Sequence, residues 1–182
     1  MSIEIIKTKI PDLYIIKPQV FKDHRGYFFE SYNKKTFREA GIDEHFVQDN
    51  ESKSMKGVLR GLHFQKPPHA QGKLVRVVTG AVLDVAVDLR KSSPTFGQWD
   101  SVELTETNKW MYWIPAGFAH GFITLEDNTI FSYKCTNVYN KESEACILWN
   151  DPTLNIDWKT SRPILSEKDQ AGIPFEEFDS PF

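Results

Sequence analysis

The chain has 182 residues, 40% of them hydrophobic and 26% charged, enough to bury a core as a single domain over residues 1–182. A net charge of −3 with no long basic run excludes the phosphate-neutralising face of a nucleic-acid polymer binder, and no apolar run is long enough to span a bilayer. The opening "MSIEIIKTKIPD" sets Glu4, Lys7 and Lys9 among its apolar positions, unlike a signal peptide, and two cysteines, Cys135 and Cys146, are too few for a disulfide framework, so a cytoplasmic protein is expected.

In chain order, short strand-like runs dominate: "LYIIKP", "GYFFESY", "KLVRVVTGAVLDVAVDL", "WMYWIP", "HGFITL" and "TIFSYKCTNVY", all rich in β-branched and aromatic residues. Turn signals such as "KPPH", "KSSP", "PAGFAHG" and "LEDN" separate them, and only "NKKTFREAG" and "LSEKDQAG" read as short capped helices. The pattern predicts an all-β jelly roll or β-sandwich rather than a βαβ fold. Gly80 is expected to turn a hairpin. Beyond it, Ala81, Leu83, Val85, Val87 and Leu89 make one apolar face, with Asp84 and Asp88 on the other and expected at the rim or in solvent.

The stretch "RGLHFQKPPHAQGK" gathers Arg60, His63, His69 and Lys73. In an extended "LRGLHFQ", Leu59, Gly61, His63 and Gln65 share one face, and Arg60, Leu62 and Phe64 the other. His120 follows the Pro-Gly turn of "PAGFAHGF", and "FSYKC" sets Phe131, Tyr133 and Cys135 on one face, as if lining an interior. A phenol there needs either a buried acceptor or a ligand. The residues alone leave metal binding, phosphate binding and proton transfer open.

With "GLHFQ" early and "PAGFAHGF" later, the chain resembles the cupin superfamily, whose metal-binding members carry His-x-His, then Glu, then a later His. Here Gln65 stands in place of the second His, no Glu occurs between His63 and Gly80, and Lys73 brings an ammonium, so only His63, His69 and His120 remain as a ligand set. A closer resemblance rests on "FKDHRGYFFESYN", "FVQDNESKS", "GVLRGLHFQ", "GKLVRVV", "PAGFAHGF", "YKCTNVY" and "LSEKD" in that order. These motifs are similar to those of the dTDP-4-dehydrorhamnose 3,5-epimerase family, metal-free cupins of deoxysugar-nucleotide biosynthesis.

That resemblance implies a cupin-type jelly-roll sandwich or barrel with a few short helices, and an isomerase without metal or cofactor. The implied reaction inverts carbons 3 and 5 of dTDP-4-dehydro-6-deoxy-D-glucose, both next to the carbon-4 ketone, giving dTDP-4-dehydro-L-rhamnose. His63 matches the base, Asp169 the carboxylate that orients it, Lys73 the cation beside the ketone, and Tyr133 the acid on the opposite face. Arg60 and His120 match residues around the sugar and diphosphate, and Gln48, Asp49 and Asn50 match the nucleotide-binding loop, with Glu144 and Lys168 also on family positions. Arg25 and Glu30 match residues that reach the deoxythymidine from the other subunit of a homodimer, so segment 21–30 is expected at a neighbouring site. Phe21 and Phe28 are candidates to stack on the thymine, although core packing is the commoner fate of such side chains. Without the resemblance, Lys73 reads as a strand-end charge, Arg60 as a surface ion pair, His120 as a turn residue and Asp169 as a helix-surface charge. The alternatives are a single-carbon epimerase on a related dTDP-keto-sugar, a metal-dependent cupin enzyme, and a non-catalytic sugar-binding cupin.

Overall fold

The computed structural model describes residues 1–182. Strands β1 (Ile3–Lys7) and β2 (Tyr14–Pro18) pair antiparallel, and β3 (Phe21–Asp23) and β4 (Gly26–Phe28) then form a separate two-stranded arm. Helix α1 (Lys34–Glu39) begins where the Asn33 side chain accepts from the Lys35 and Thr36 N–H groups at 3.0 and 3.3 Å, which satisfies two otherwise orphaned donors. The strands that follow are β5 (Gln48–Ser54), β6 (Leu59–Gln65), β7 (Lys73–Thr79), β8 (Ala81–Asp88) and β9 (Trp99–Thr105). Next come β10 (Met111–Ile114), β11 (Phe118–Thr124), β12 (Thr129–Cys135) and β13 (Glu144–Cys146), before a one-turn helix α2 (Glu167–Gln170) and a 3-10 turn at Phe175–Glu177.

Two antiparallel sheets face each other as a sandwich, ordered β1-β2-β10-β7-β12-β5 and β13-β6-β11-β8-β9. Val75, Val77, Val82, Ala86, Tyr112, Phe122 and Phe131 fill the space between them. On the outside, α1 lays Phe37 over Ile16, Leu74, Met111 and Trp113 of the six-stranded sheet. The C-terminal segment covers the five-stranded sheet, with Ile147, Leu154 and Trp158 on Leu59, Leu62, Val85 and Ile123. No helix is long and apolar enough to cross a membrane.

Three local expectations are corrected. Only Gly80 separates β7 from β8, yet the two strands lie in different sheets, so the expected hairpin is a corner at which the chain crosses the sandwich. Gly80 has φ +81°, and a Cβ there would collide with Thr129, so turn and close approach together demand glycine. Second, of "GYFFESY" only Gly26–Phe28 is strand, because its sole partner is the three-residue β3 and the chain then turns into the Asn33 cap. Third, Asp84 and Asp88 are fully buried. The outer face of β8 is covered as well as the inner one, so no side of this strand meets solvent. Asp88 is held by Arg90 Nε and Nη2 at 2.9 Å each, Ser93 Oγ at 2.6 Å and Thr95 Oγ1 at 2.8 Å, as a buried carboxylate must be.

Candidate active site

The site is set by an irregularity in β6. β11 pairs His120 with His63 and then Phe122 with Arg60, so two steps on one strand meet three on the other and a bulge falls at Gly61–Leu62. Gly61 has φ +146°, and a Cβ there would come within 2.5 Å of Gly121 Cα. A Cβ on Gly121 would in turn meet the Arg60 carbonyl oxygen at 2.9 Å, so the two glycines let the strands touch. The bulge overturns the strict alternation expected for "LRGLHFQ". Leu59, Leu62 and Phe64 now pack together beneath the C-terminal segment, and Arg60 joins His63 on the inner, cavity-lining side.

Two adjoining cavities of about 290 and 160 Å³ share His63, Lys73 and Tyr133 in their walls. Gln48, Asn50, Gln65, Gln71, Tyr139 and Glu144 line the larger, and Ser52, Arg60, His120 and Phe122 the smaller. Phe131, Tyr133 and Cys135 do face inward from β12, as their spacing predicts, with Phe131 and Cys135 fully buried.

His63 Nε2 lies 2.8 Å from Asp169 Oδ1 with its N–H direction off the line to the oxygen, which leaves that buried nitrogen without an aligned acceptor. Its other nitrogen, Nδ1, has no partner in the protein, and the ring forms part of both cavity walls. Asp169 is fixed by the cap of α2: Ser166 Oγ donates to Oδ2 at 2.5 Å, the Asp169 N–H returns a bond to Ser166 Oγ, and the Gly61 N–H donates to Oδ1 at 3.0 Å. Burial alone would raise this carboxyl, but the close imidazole of His63 and the bonds from Ser166 and Gly61 outweigh it and hold it well below the usual carboxylate range. Asp169 is therefore no helix-surface charge; it is a buried anion beside an imidazole.

Lys73 sits deep in the cavity with no ion pair, and burial pulls its ammonium below the ordinary lysine value despite nearby Cys135, Asp84 and Glu144. Burial first, and Cys135 second, push the Tyr133 phenol up, so it stays protonated at neutral pH. His120 Nε2 lies 3.0 Å from each oxygen of Asp84. Burial lowers His120 and raises Asp84 against their mutual attraction, which disfavours charge separation at this spot. His120 is thus a buried, paired residue rather than a turn residue. Arg60 reaches Ser54 Oγ at 3.2 Å and is exposed.

Period-two alternation divides the "QDN" triplet: Gln48 and Asn50 point into the cavity, linked at 3.2 Å, while Asp49 points away and pairs with Lys134 at 3.0 Å. Asp49 does not join the site in this chain. Glu144 binds Lys168 and accepts from the Tyr139 hydroxyl at 2.9 Å, at the cavity rim. Arg25, Glu30, Phe21 and Phe28 are also absent from the two cavities around His63; Phe21, Arg25 and Phe28 line a separate open hollow on the arm. Arg25 bonds Asp23 at 2.6 Å, Glu30 accepts from Asn33 at 3.0 Å, and Phe21 and Phe28 are 47% and 62% exposed on the arm rather than packed in the core. Sequence reasoning missed Gln71, Ser52 and Tyr139. Gln71 has the parity of Lys73 and was readable from it; Tyr139 lies beyond the end of β12, on a loop tied to Gln48 by its N–H at 2.8 Å, and carried no such signal.

The three histidines do not share one point: His69 bonds Ser143 at 2.8 Å, His120 bonds Asp84 and His63 faces Asp169. The residues that do converge are His63, Cys146 and Asp169, whose donor atoms all lie within 4.8 Å of one another.

The family model described as dTDP-4-dehydrorhamnose 3,5-epimerase matches residues 7–177. The chain belongs to the dTDP-4-dehydrorhamnose 3,5-epimerase family. The enzyme is 57% identical over 176 residues to the dTDP-4-dehydrorhamnose 3,5-epimerase of Shigella flexneri, covering 96% of this chain and 97% of that one. Its fold superposes with a TM-score of 0.94 on dTDP-6-deoxy-D-glucose-3,5-epimerase from Legionella pneumophila in complex with dTDP-4-keto-L-rhamnose, at 50% identity over 98% of this chain and 95% of that one. The corresponding epimerase of Elizabethkingia anophelis gives a TM-score of 0.92 at 54% identity, with 97% and 98% covered. The enzyme is accordingly an isomerase, and its sandwich is a cupin-like jelly roll.

Proposed function

We propose that the enzyme inverts carbons 3 and 5 of dTDP-4-dehydro-6-deoxy-D-glucose to give dTDP-4-dehydro-L-rhamnose, with His63 as base and Tyr133 as acid. The observation that carries this reading is that an imidazole backed by a buried anionic carboxylate shares one cavity with a protonated phenol and an unpaired ammonium. A proton next to a ketone is acidic only when the enolate oxygen is stabilised, and Lys73 supplies positive charge in the same cavity. His63 Nδ1 takes the proton, and the imidazolium that forms is held by the Asp169 carboxylate, whose Oδ1 lies 2.8 Å from Nε2. Tyr133 then returns a proton to the other face of the enolate, and repetition at the second carbon completes the double inversion. Arg60 and His120 lie where the sugar would be held; Gln48, Asn50, Glu144, Lys168 and the half-exposed ring of Tyr139 lie towards the nucleotide.

The same reading makes the working unit a homodimer. Arg25, Glu30, Phe21 and Phe28 lie outside the cavities that hold His63 in their own chain, and an arm with exposed aromatic rings gains by covering a neighbour's nucleotide. Free, buried thiols at Cys135 and Cys146 suit a reducing cytoplasm.

Incubation with dTDP-4-dehydro-6-deoxy-D-glucose and proton NMR of the product tests the proposal. Ring couplings of the L-rhamno configuration are expected. Recovery of unchanged substrate overturns the reading, and inversion at one carbon replaces it with the single-carbon alternative.

A further inference from the structure

Cys146 plays no part in the chemistry above, yet it is the direct cross-strand partner of His63, on β13 beside β6. Its Sγ, a ring nitrogen of His63 and a carboxylate oxygen of Asp169 lie within 4.8 Å of one another. The His63 nitrogen that faces Asp169 at 2.8 Å is buried and has no aligned partner, and the thiol makes only a weak bond to the Ile147 carbonyl at 3.3 Å. Imidazole nitrogen, thiolate sulfur and carboxylate oxygen form a donor set suited to tetrahedral zinc or cadmium, with bonds of roughly 2.0–2.3 Å for zinc, reached by small side-chain shifts.

We propose that His63, Cys146 and Asp169 form an inhibitory site for a thiophilic divalent cation, zinc or cadmium, which binds His63 Nε2 and silences the ring as a base. Cys146 loses its proton to solvent and the sulfur bonds the cation. The proton on Nε2 passes to Nδ1, the nitrogen pair of Nε2 bonds the cation, and Asp169 contributes one oxygen. Two anionic ligands balance the two positive charges, so no net charge is left in the buried site. Nδ1 now carries a proton and has no free pair for a carbon acid. The balance releases one proton, so affinity rises about tenfold per pH unit while the free thiol is protonated. Silencing rests on the assignment of His63 as base; seating of the cation does not.

Cadmium titration followed in two channels tests this: the thiolate-to-cadmium charge-transfer band in the ultraviolet, and the epimerisation rate. In the wild-type enzyme the band should grow as the rate falls, a chelator should reverse both, and the half-inhibiting concentration should fall about tenfold per pH unit. Cys146→Ala, with Cys146→Ser as a second variant, should keep its cadmium-free rate, lose the band and need at least about tenfold more cadmium for inhibition. Cys135→Ser should keep the band. Equal cadmium sensitivity in wild type and both Cys146 variants overturns the site while leaving the epimerase reading intact. A Cys146-dependent band with undiminished turnover overturns the silencing and with it the base assignment. Absence of turnover before any cadmium is added condemns the epimerase reading instead, and the band still decides the site.

Discussion

Asp169 Oδ1 stands 2.8 Å from His63 Nε2 and 3.0 Å from the Gly61 N–H, so the carboxylate that caps α2 also ties that helix to the bulge of β6. The proposed base and the carboxylate beside it are thereby carried by two elements locked together. His63→Ala should abolish hydrogen exchange at both carbons, with a loss of about a hundred- to ten-thousandfold, since one ring serves both abstractions. Asp169→Asn should fall between that variant and wild type, because the imidazole remains while its tautomer and alignment suffer. Solvent-exchange rates at the two carbons, measured for each variant, check the order; undiminished exchange in His63→Ala would pass the base role to His120.

How far this site was legible in the sequence follows from what each residue's placement depends on. The inward row Phe131, Tyr133 and Cys135 and the caps of both helices were readable, because each depends on neighbours within a few positions. Arg60 was misplaced since the bulge that turns it inward depends on Gly121, on another strand. Asp84 was misplaced since both faces of β8 are covered, and a buried His120 gives its charge a partner that spacing cannot reveal. β5, "QDNESKS", has no β-branched residue, yet it pairs along its whole length with β12. Asp169 lies 108 residues beyond Gly61, and only the family resemblance connected it to the base.

The pH profile should have an alkaline limb set by Lys73. The proposed reaction needs Lys73 and Tyr133 both protonated, and burial moves them in opposite directions, lysine down and tyrosine up. As pH rises Lys73 therefore loses its proton first, and kcat/KM should fall before the phenol ionises. Lys73→Arg, whose charge does not titrate in this range, should have a lower plateau and a limb moved to higher pH. An alkaline limb that stays in place in this variant would assign it to another group.

Tyr133→Phe keeps the packing against Phe131 and removes the proton assigned to the far face. Exchange should persist, since His63 still abstracts a hydrogen and returns a solvent-derived one to the same face, while inversion falls by about a hundred- to ten-thousandfold. Deuterium entering unreacted substrate, compared with formation of the L-configured product, separates the two. Equal losses would make Tyr133 an aid to enolate formation, and no loss would make it a core residue.

The arm makes the dimer testable apart from the chemistry. Sedimentation should give twice the chain mass, and Arg25→Ala and Phe28→Ala should raise KM more than they lower kcat. Mixing His63→Ala with Arg25→Ala protomers should restore activity, because one site of each mixed dimer then has an intact base and an intact arm. A fully active monomer would contradict the shared site.

Proton NMR of dTDP-4-dehydro-6-deoxy-D-glucose in deuterated water, with wild-type enzyme and with His63→Ala, tests the central claim most directly. One base serving two carbons next to one ketone predicts deuterium at carbon 3 and at carbon 5 with wild type, and at neither with His63→Ala. Deuterium at a single carbon with wild type, or at both with His63→Ala, would contradict it.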